Sequence, residues 1–147
     1  MSYQNCRRLL NFLRESKVAY NILIVDDSAT TRSIIARTLR IIPDVELGEI
    51  YQASNGKEAL EELDRNWVDI VFADINMPIM DGVTMVEKMT EHPDMKKIPV
   101  VIVSTEGSET RMEELFRKGI RAYIRKPFSV EKVSEILTDI LGEEDDI

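Results

Sequence analysis

Apolar and polar positions along the chain fall into blocks that switch between two periods. Ile22–Val25, Val68–Ala73 and Val100–Val103 are short, mostly apolar runs rich in β-branched residues. Runs of this kind suit strands covered on both faces of a parallel sheet. Val45–Gln52 is more mixed and reads as a partly exposed strand, and Ala122–Ile124 as a short last one. Between them the spacing becomes helical. Ile34, Ile35, Thr38 and Leu39 are carried inward by one helix, and Ala59, Leu60 and Leu63 share a face of the next. Val83, Val86 and Met89 mark a third, and Met112, Leu115 and Phe116 a fourth. Val133, Ile136, Leu137, Ile140 and Leu141 give the clearest helical stripe in the chain.

The punctuation agrees. Ser28 and Ser129 are suitable N-caps, Pro43-Asp44 stops the first helix, and Ser54-Asn55-Gly56 turns the chain into the second. Asp81-Gly82 reads as a turn and helix start, Gly119 as a stop, and Lys126-Pro127 as the break after the last strand. Five β-α units with short loops predict an α/β fold, a five-stranded parallel sheet with helices on both faces. Right-handed crossovers favour the order 2-1-3-4-5, a flavodoxin-like three-layer sandwich.

Composition narrows the class. The 147 residues suit one compact domain. The formal net charge of −8 argues against nucleic acid, whose phosphates call for a basic stripe. No apolar run approaches the ~20 residues of a membrane span, so no membrane insertion is expected. The single cysteine, Cys6, excludes an internal disulfide framework and, with no secretory signal pattern, leads to a cytoplasmic expectation.

In an open parallel sheet, ligands sit beyond the C-terminal ends of the strands. Asp26-Asp27 ends the first strand, Asp74 the third and Ser104-Thr105 the fourth, while Lys126 follows the fifth. Carboxylates brought together repel one another and invite a divalent cation, and oxygen ligands favour Mg²⁺, with Mn²⁺ as the alternative. A carboxylate beside such an ion can attack phosphorus, with the cation and the lysine offsetting charge on the transferred group. Phosphoryl transfer to an aspartate is therefore expected on chemistry alone.

Four segments then carry a resemblance. Val25-Asp26-Asp27-Ser28, Ala73–Gly82 with its Met77-Pro78 and Asp81-Gly82, Val103-Ser104-Thr105, and Tyr123–Phe128 with Lys126-Pro127 resemble, in order and spacing, the motifs of response-regulator receiver domains. The likeness covers roughly residues 20–141 and is strongest to stand-alone chemotaxis regulators of the CheY type. It implies that Asp74 accepts the phosphoryl group, and that Asp26, Asp27, Asp74 and the backbone carbonyl of Asn76 hold the metal. Lys126, Ser104 and Thr105 would contact the phosphoryl group. Ser104 and Tyr123 would switch the surface of the fourth helix, fifth strand and fifth helix, and Asn76 and Glu106 would tune dephosphorylation. The Lys126-Pro127 bond would be cis. The implied partners are a histidine kinase, a downstream protein target such as a flagellar motor component, and a phosphatase. The chain would be a self-phosphorylating and self-dephosphorylating switch and not an enzyme. Serine in place of the commoner threonine at 104 keeps the hydroxyl, and Thr105 is bulkier than the family's usual small residue.

Plainer readings stand beside these. Met77 and Met80 suit loop packing, Trp67 a partly buried position before the third strand, and His92 an exposed loop without a catalytic role. A phosphohydrolase of the haloacid dehalogenase kind would want a second aspartate at position 76, where Asn76 stands. A flavodoxin-like cofactor site would want Ser, Thr and Gly where carboxylates stand. Another stand-alone or phosphorelay role remains the alternative to chemotaxis. The expected organisation is an extension at 1–20, a receiver domain at 21–142 and an acidic tail at 143–147. The extension carries a formal +3 from Arg7, Arg8, Arg14 and Lys17 against Glu15. Cys6, Leu9, Leu10 and Leu13 give it a weak amphipathic spacing, as of a docking helix. The competing expectation is that residues 1–17 are untranslated leader, with translation starting at Val18 from a GTG codon.

Overall fold

The computed structural model describes residues 19–43 and 45–145. The elements, in order, are β1 (Tyr20–Val25), α1 (Ala29–Arg40), β2 (Leu47–Ala53), α2 (Gly56–Arg65), β3 (Ile70–Ala73), α3 (Gly82–Glu91), β4 (Val100–Ser104), α4 (Glu109–Arg117), β5 (Ala122–Arg125) and α5 (Val130–Asp145). The strands form one parallel sheet in the order β2-β1-β3-β4-β5, the predicted topology. The amphipathic spacing at Cys6–Leu13 and the leader expectation for 1–17 lie outside the described residues, as does Asp44.

Each central strand sends alternate side chains to opposite faces, and both faces are covered. Leu23 and Val25 of β1, Val71 and Ala73 of β3, and Val100 and Ile102 of β4 pack with Ala59 and Leu63 of α2, Val86 and Met89 of α3, and Leu115 of α4. Ile22, Ile24, Ile70, Phe72, Val101 and Val103 pack on the other face with Ile35 and Leu39 of α1 and Val133, Leu137 and Ile140 of α5. This is why the central runs carry no polar alternation while the edge strand β2 does.

Three side chains depart from expectation. Ile34, expected inward, is 48% exposed, because the α1 stripe settles on Ile35, Ala36 and Leu39 and a neighbouring position lies about 100° round the helix. Phe116 is 45% exposed for the same reason, one position past the buried Leu115. His92 is half-buried, its Nδ1 accepting the Asp94 N–H at 3.1 Å at the end of α3. The backbone of α5 runs to Asp145, past Glu143 where the tail was expected to begin. Met77 and Met80 pack on the core, and Trp67 is half-buried, as expected.

Capping follows the sequence closely. The side chains of Ser28, Asn55, Asp81 and Ser108 accept the N–H groups of Thr31, Glu58, Thr84 and Arg111. Among the described residues, no helix is long and apolar enough to cross a membrane.

Candidate functional site

Register brings the sequence-predicted residues together. Val25 of β1 pairs with Ala73 of β3, so Asp26 and Asp74 leave neighbouring strands at the same level, and the Asp74 N–H donates to the Val25 carbonyl at 2.9 Å. On the other side Ser104 of β4 pairs with Arg125 of β5, and the Lys126 N–H donates to the Ser104 carbonyl at 2.9 Å. From there the Lys126 ammonium reaches back across β4. It bonds Asp26 Oδ2 at 2.9 Å and Asp74 Oδ2 at 3.2 Å. Carboxylate oxygens of Asp26, Asp27 and Asp74 lie within 4.8 Å of one another.

The three carboxylates differ in environment. Asp26 is buried, and its Oδ1 accepts the Ser28 N–H at 2.9 Å. Asp74 is partly exposed and its Oδ1 accepts the Ile75 N–H at 2.7 Å, while Asp27 is exposed. Burial works against the charge of Lys126, but its hydrogen bonds and attraction to Asp26 and Asp74 outweigh that, and its pKa lies above the ordinary lysine value. The Lys126-Pro127 bond is cis. A set of hard oxygen donors converging at the C-terminal ends of β1 and β3 fits Mg²⁺, which binds through a few carboxylates and keeps its remaining positions for water or phosphate oxygen.

Ser104 is buried, and its Oγ accepts the Glu106 N–H at 3.2 Å. The half-buried Tyr123 donates its hydroxyl to the Glu106 carbonyl, and burial raises the pKa of its phenol above the ordinary value. One residue, Glu106, thus anchors both side chains through its backbone. Its carboxylate sits 3.4 Å from Arg111 Nε, and Arg125 Nη2 donates to the Gly107 carbonyl at 3.1 Å. Asn76 and Thr105 are exposed. The sequence reading missed three arginines here: Arg111 of α4 and Arg125 of β5, which contact Glu106 and Gly107 of the loop after β4, and Arg32, whose Nη1 donates to the Asp26 carbonyl at 2.6 Å. Their residue type carries no signal among 19 lysines and arginines.

The loop from Asp74 to α3 folds back on the end of β3. Met80 N–H donates to the Pro78 carbonyl at 2.6 Å across Ile79, a tight turn that holds Ile79 at φ 68°, a strained position for a β-branched residue. The chain then returns so closely that a Cβ at Gly82 would lie 2.3 Å from the Asp74 carbonyl oxygen and 3.0 Å from Ile75 Cα. Backbone cannot give way as a side chain can. Gly82→Ala is therefore expected to destabilise the fold by about 2 kcal/mol, read as a lower urea midpoint. Mg²⁺ affinity should fall with it, since the strain is delivered to Asp74 itself. An unchanged midpoint would show that the close approach is relieved elsewhere.

The family of response regulator receiver domains matches residues 22–138. The chemotaxis protein CheY1 of Helicobacter pylori is 36% identical over 127 residues, covering 84% of this chain and 98% of that protein. The chemotaxis protein CheY homolog of Campylobacter jejuni is 36% identical over 123 residues, covering 82% and 92%. Among solved structures, the CheX–CheY complex with beryllofluoride and magnesium from Borrelia burgdorferi superposes with a TM-score of 0.75 at 30% identity, covering 83% of this chain and 89% of that one.

Proposed function

The chain belongs to the response regulator receiver domain family, whose members accept phosphoryl groups in two-component systems, and from that membership we propose that Asp74 is the acceptor here and that the chain serves chemotaxis as a stand-alone switch. One observation carries the site assignment: the Lys126 ammonium joins Asp26 to Asp74 beyond the C-terminal ends of β1 and β3, at 2.9 and 3.2 Å. The chemotaxis reading is supported by CheY relatives that the chain covers nearly end to end.

In the proposed transfer a histidine kinase presents a phosphohistidine. An Asp74 carboxylate oxygen forms the new O–P bond as the P–N bond breaks, and the electron pair returns to the imidazole nitrogen. Asp26, Asp27, Asp74 and the Asn76 carbonyl would hold Mg²⁺, which supplies positive charge beside the phosphoryl oxygens when bound. Lys126 moves its hydrogen bonds from carboxylate to phosphoryl oxygen. Asp26 is buried and keeps its place, while the partly exposed Asp74 is the reachable nucleophile. Ser104 and Thr105 stand on the β4 side, and Ser104 can turn to the phosphoryl group once it gives up the Glu106 N–H. A shift of the Glu106 backbone on release of Ser104 would take the hydrogen-bond acceptor from Tyr123, which then turns inward and changes the α4-β5-α5 surface offered to a downstream target such as a motor component. Asn76 and Glu106 tune the rate of self-dephosphorylation, and Mn²⁺ substitutes for Mg²⁺.

The test is incubation with acetyl phosphate and Mg²⁺, followed by intact mass and peptide mapping. One phosphoryl group on the Asp74 peptide is expected. Modification of another residue, or none, would overturn the assignment.

A further inference from the structure

Asp26 is tied at every polar atom. Its N–H donates to the Ala53 carbonyl at 3.1 Å, Oδ1 accepts from Ser28 N–H at 2.9 Å, and Oδ2 accepts from Lys126 at 2.9 Å. Its carbonyl accepts from Arg32 Nη1 at 2.6 Å. That carbonyl belongs to the peptide joining Asp26 to Asp27, so its direction sets the direction in which the exposed Asp27 leaves the strand end. Arg32 is itself held, because its Nε donates to Gln52 Oε1 on β2 at 2.9 Å. A planar guanidinium braced at two points fixes orientation in a way that an ammonium does not.

We infer that Arg32 is a positioning residue for the metal pair: braced by Gln52, it locks the Asp26–Asp27 peptide and so aims the Asp27 carboxylate at the ion shared with Asp26 and Asp74. This rests on the Mg²⁺ reading of the cluster. Charge alone predicts the opposite sign. Arg32 is a cation near the site, and if it acted only through its field, its removal would strengthen Mg²⁺ binding.

Calorimetric titration of the full chain with MgCl₂ separates the two. Arg32→Gln and Arg32→Lys are both expected to weaken Mg²⁺ by about tenfold, as loss of a ligand's outer support does. Gln52→Ala, which keeps the Arg32 charge and removes only its brace, should weaken it in the same direction by less. An unchanged or tighter Arg32→Gln overturns the inference. If circular dichroism shows Arg32→Gln unfolded, Gln52→Ala decides, and wild-type affinity there overturns it. Failure of the wild type to bind Mg²⁺ saturably would sink the metal reading, and this inference with it.

Discussion

Asp74→Ala is expected to lose phosphorylation by acetyl phosphate down to background, with the fold retained. The reason lies in how the three carboxylates are engaged. Asp74 combines partial exposure with a position at the end of β3, and its Oδ2 faces the Lys126 ammonium that can follow the phosphoryl group. Asp26 cannot take over: each of the two carboxylates has both oxygens hydrogen-bonded, but Asp26 is buried where Asp74 is partly exposed. Asp27 is exposed but forms no hydrogen bond or ion pair with Lys126 in the resting site. Removing one of three mutually repelling carboxylates also relieves strain, so thermal stability should hold or rise by about 1 kcal/mol. A chelator added to wild type should reproduce the chemical defect without the stability change. Phosphorylation of the variant at the wild-type rate would remove Asp74 from its proposed role.

Much of this site was readable in the chain because a parallel sheet delivers the ends of its strands to one edge. An aspartate after an apolar run is ambiguous by itself. Three such run-ends carrying Asp26, Asp74 and Ser104, with Lys126 beyond the last strand, are not, once the order 2-1-3-4-5 is inferred. What stayed illegible depends on backbone partners and on small rotations. The double use of Glu106, N–H to Ser104 and carbonyl to Tyr123, is a main-chain arrangement that residue type does not encode. Ile79 at positive φ runs against its own preference and is imposed by the returning loop. Ile34 and Phe116 each sit one residue from a buried neighbour, and periodicity alone does not say which of two adjacent apolar positions faces in. Arg32 and Arg37 lie on the same helix and look alike in sequence, yet only the first is bonded to the Asp26 carbonyl.

Lys126→Met should separate metal binding from phosphoryl transfer. In the resting site the ammonium occupies Asp26 Oδ2 and Asp74 Oδ2, two of the oxygens that an incoming cation would use. Its removal takes away both a competitor and a like charge, so Mg²⁺ should bind more tightly. Transfer should nevertheless slow by about 10²–10³, the effect of losing one donor aimed at developing charge. Stability should fall by about 2 kcal/mol at neutral pH, because the side chain of Asp26, only 3% exposed, loses its cation. The pH dependence carries a sign. Lys126 has a folded pKa above its ordinary 10.5, since the two carboxylates outweigh burial. Its contribution is therefore fully present below that value and disappears as pH rises through the raised one. Burial also raises Tyr123 above 10.0, so the folded state holds both protons longer than the unfolded chain and the two effects run in the same direction. The alkaline fall in stability should thus be shallower in Lys126→Met than in wild type, but not absent. Urea melts between neutral and alkaline pH, paired with Mg²⁺ titration and acetyl phosphate kinetics, check all three. Weaker Mg²⁺ binding in the variant would mean that the ammonium supports the acidic cluster more than it competes with the ion, and wild-type transfer kinetics would remove Lys126 from the chemistry.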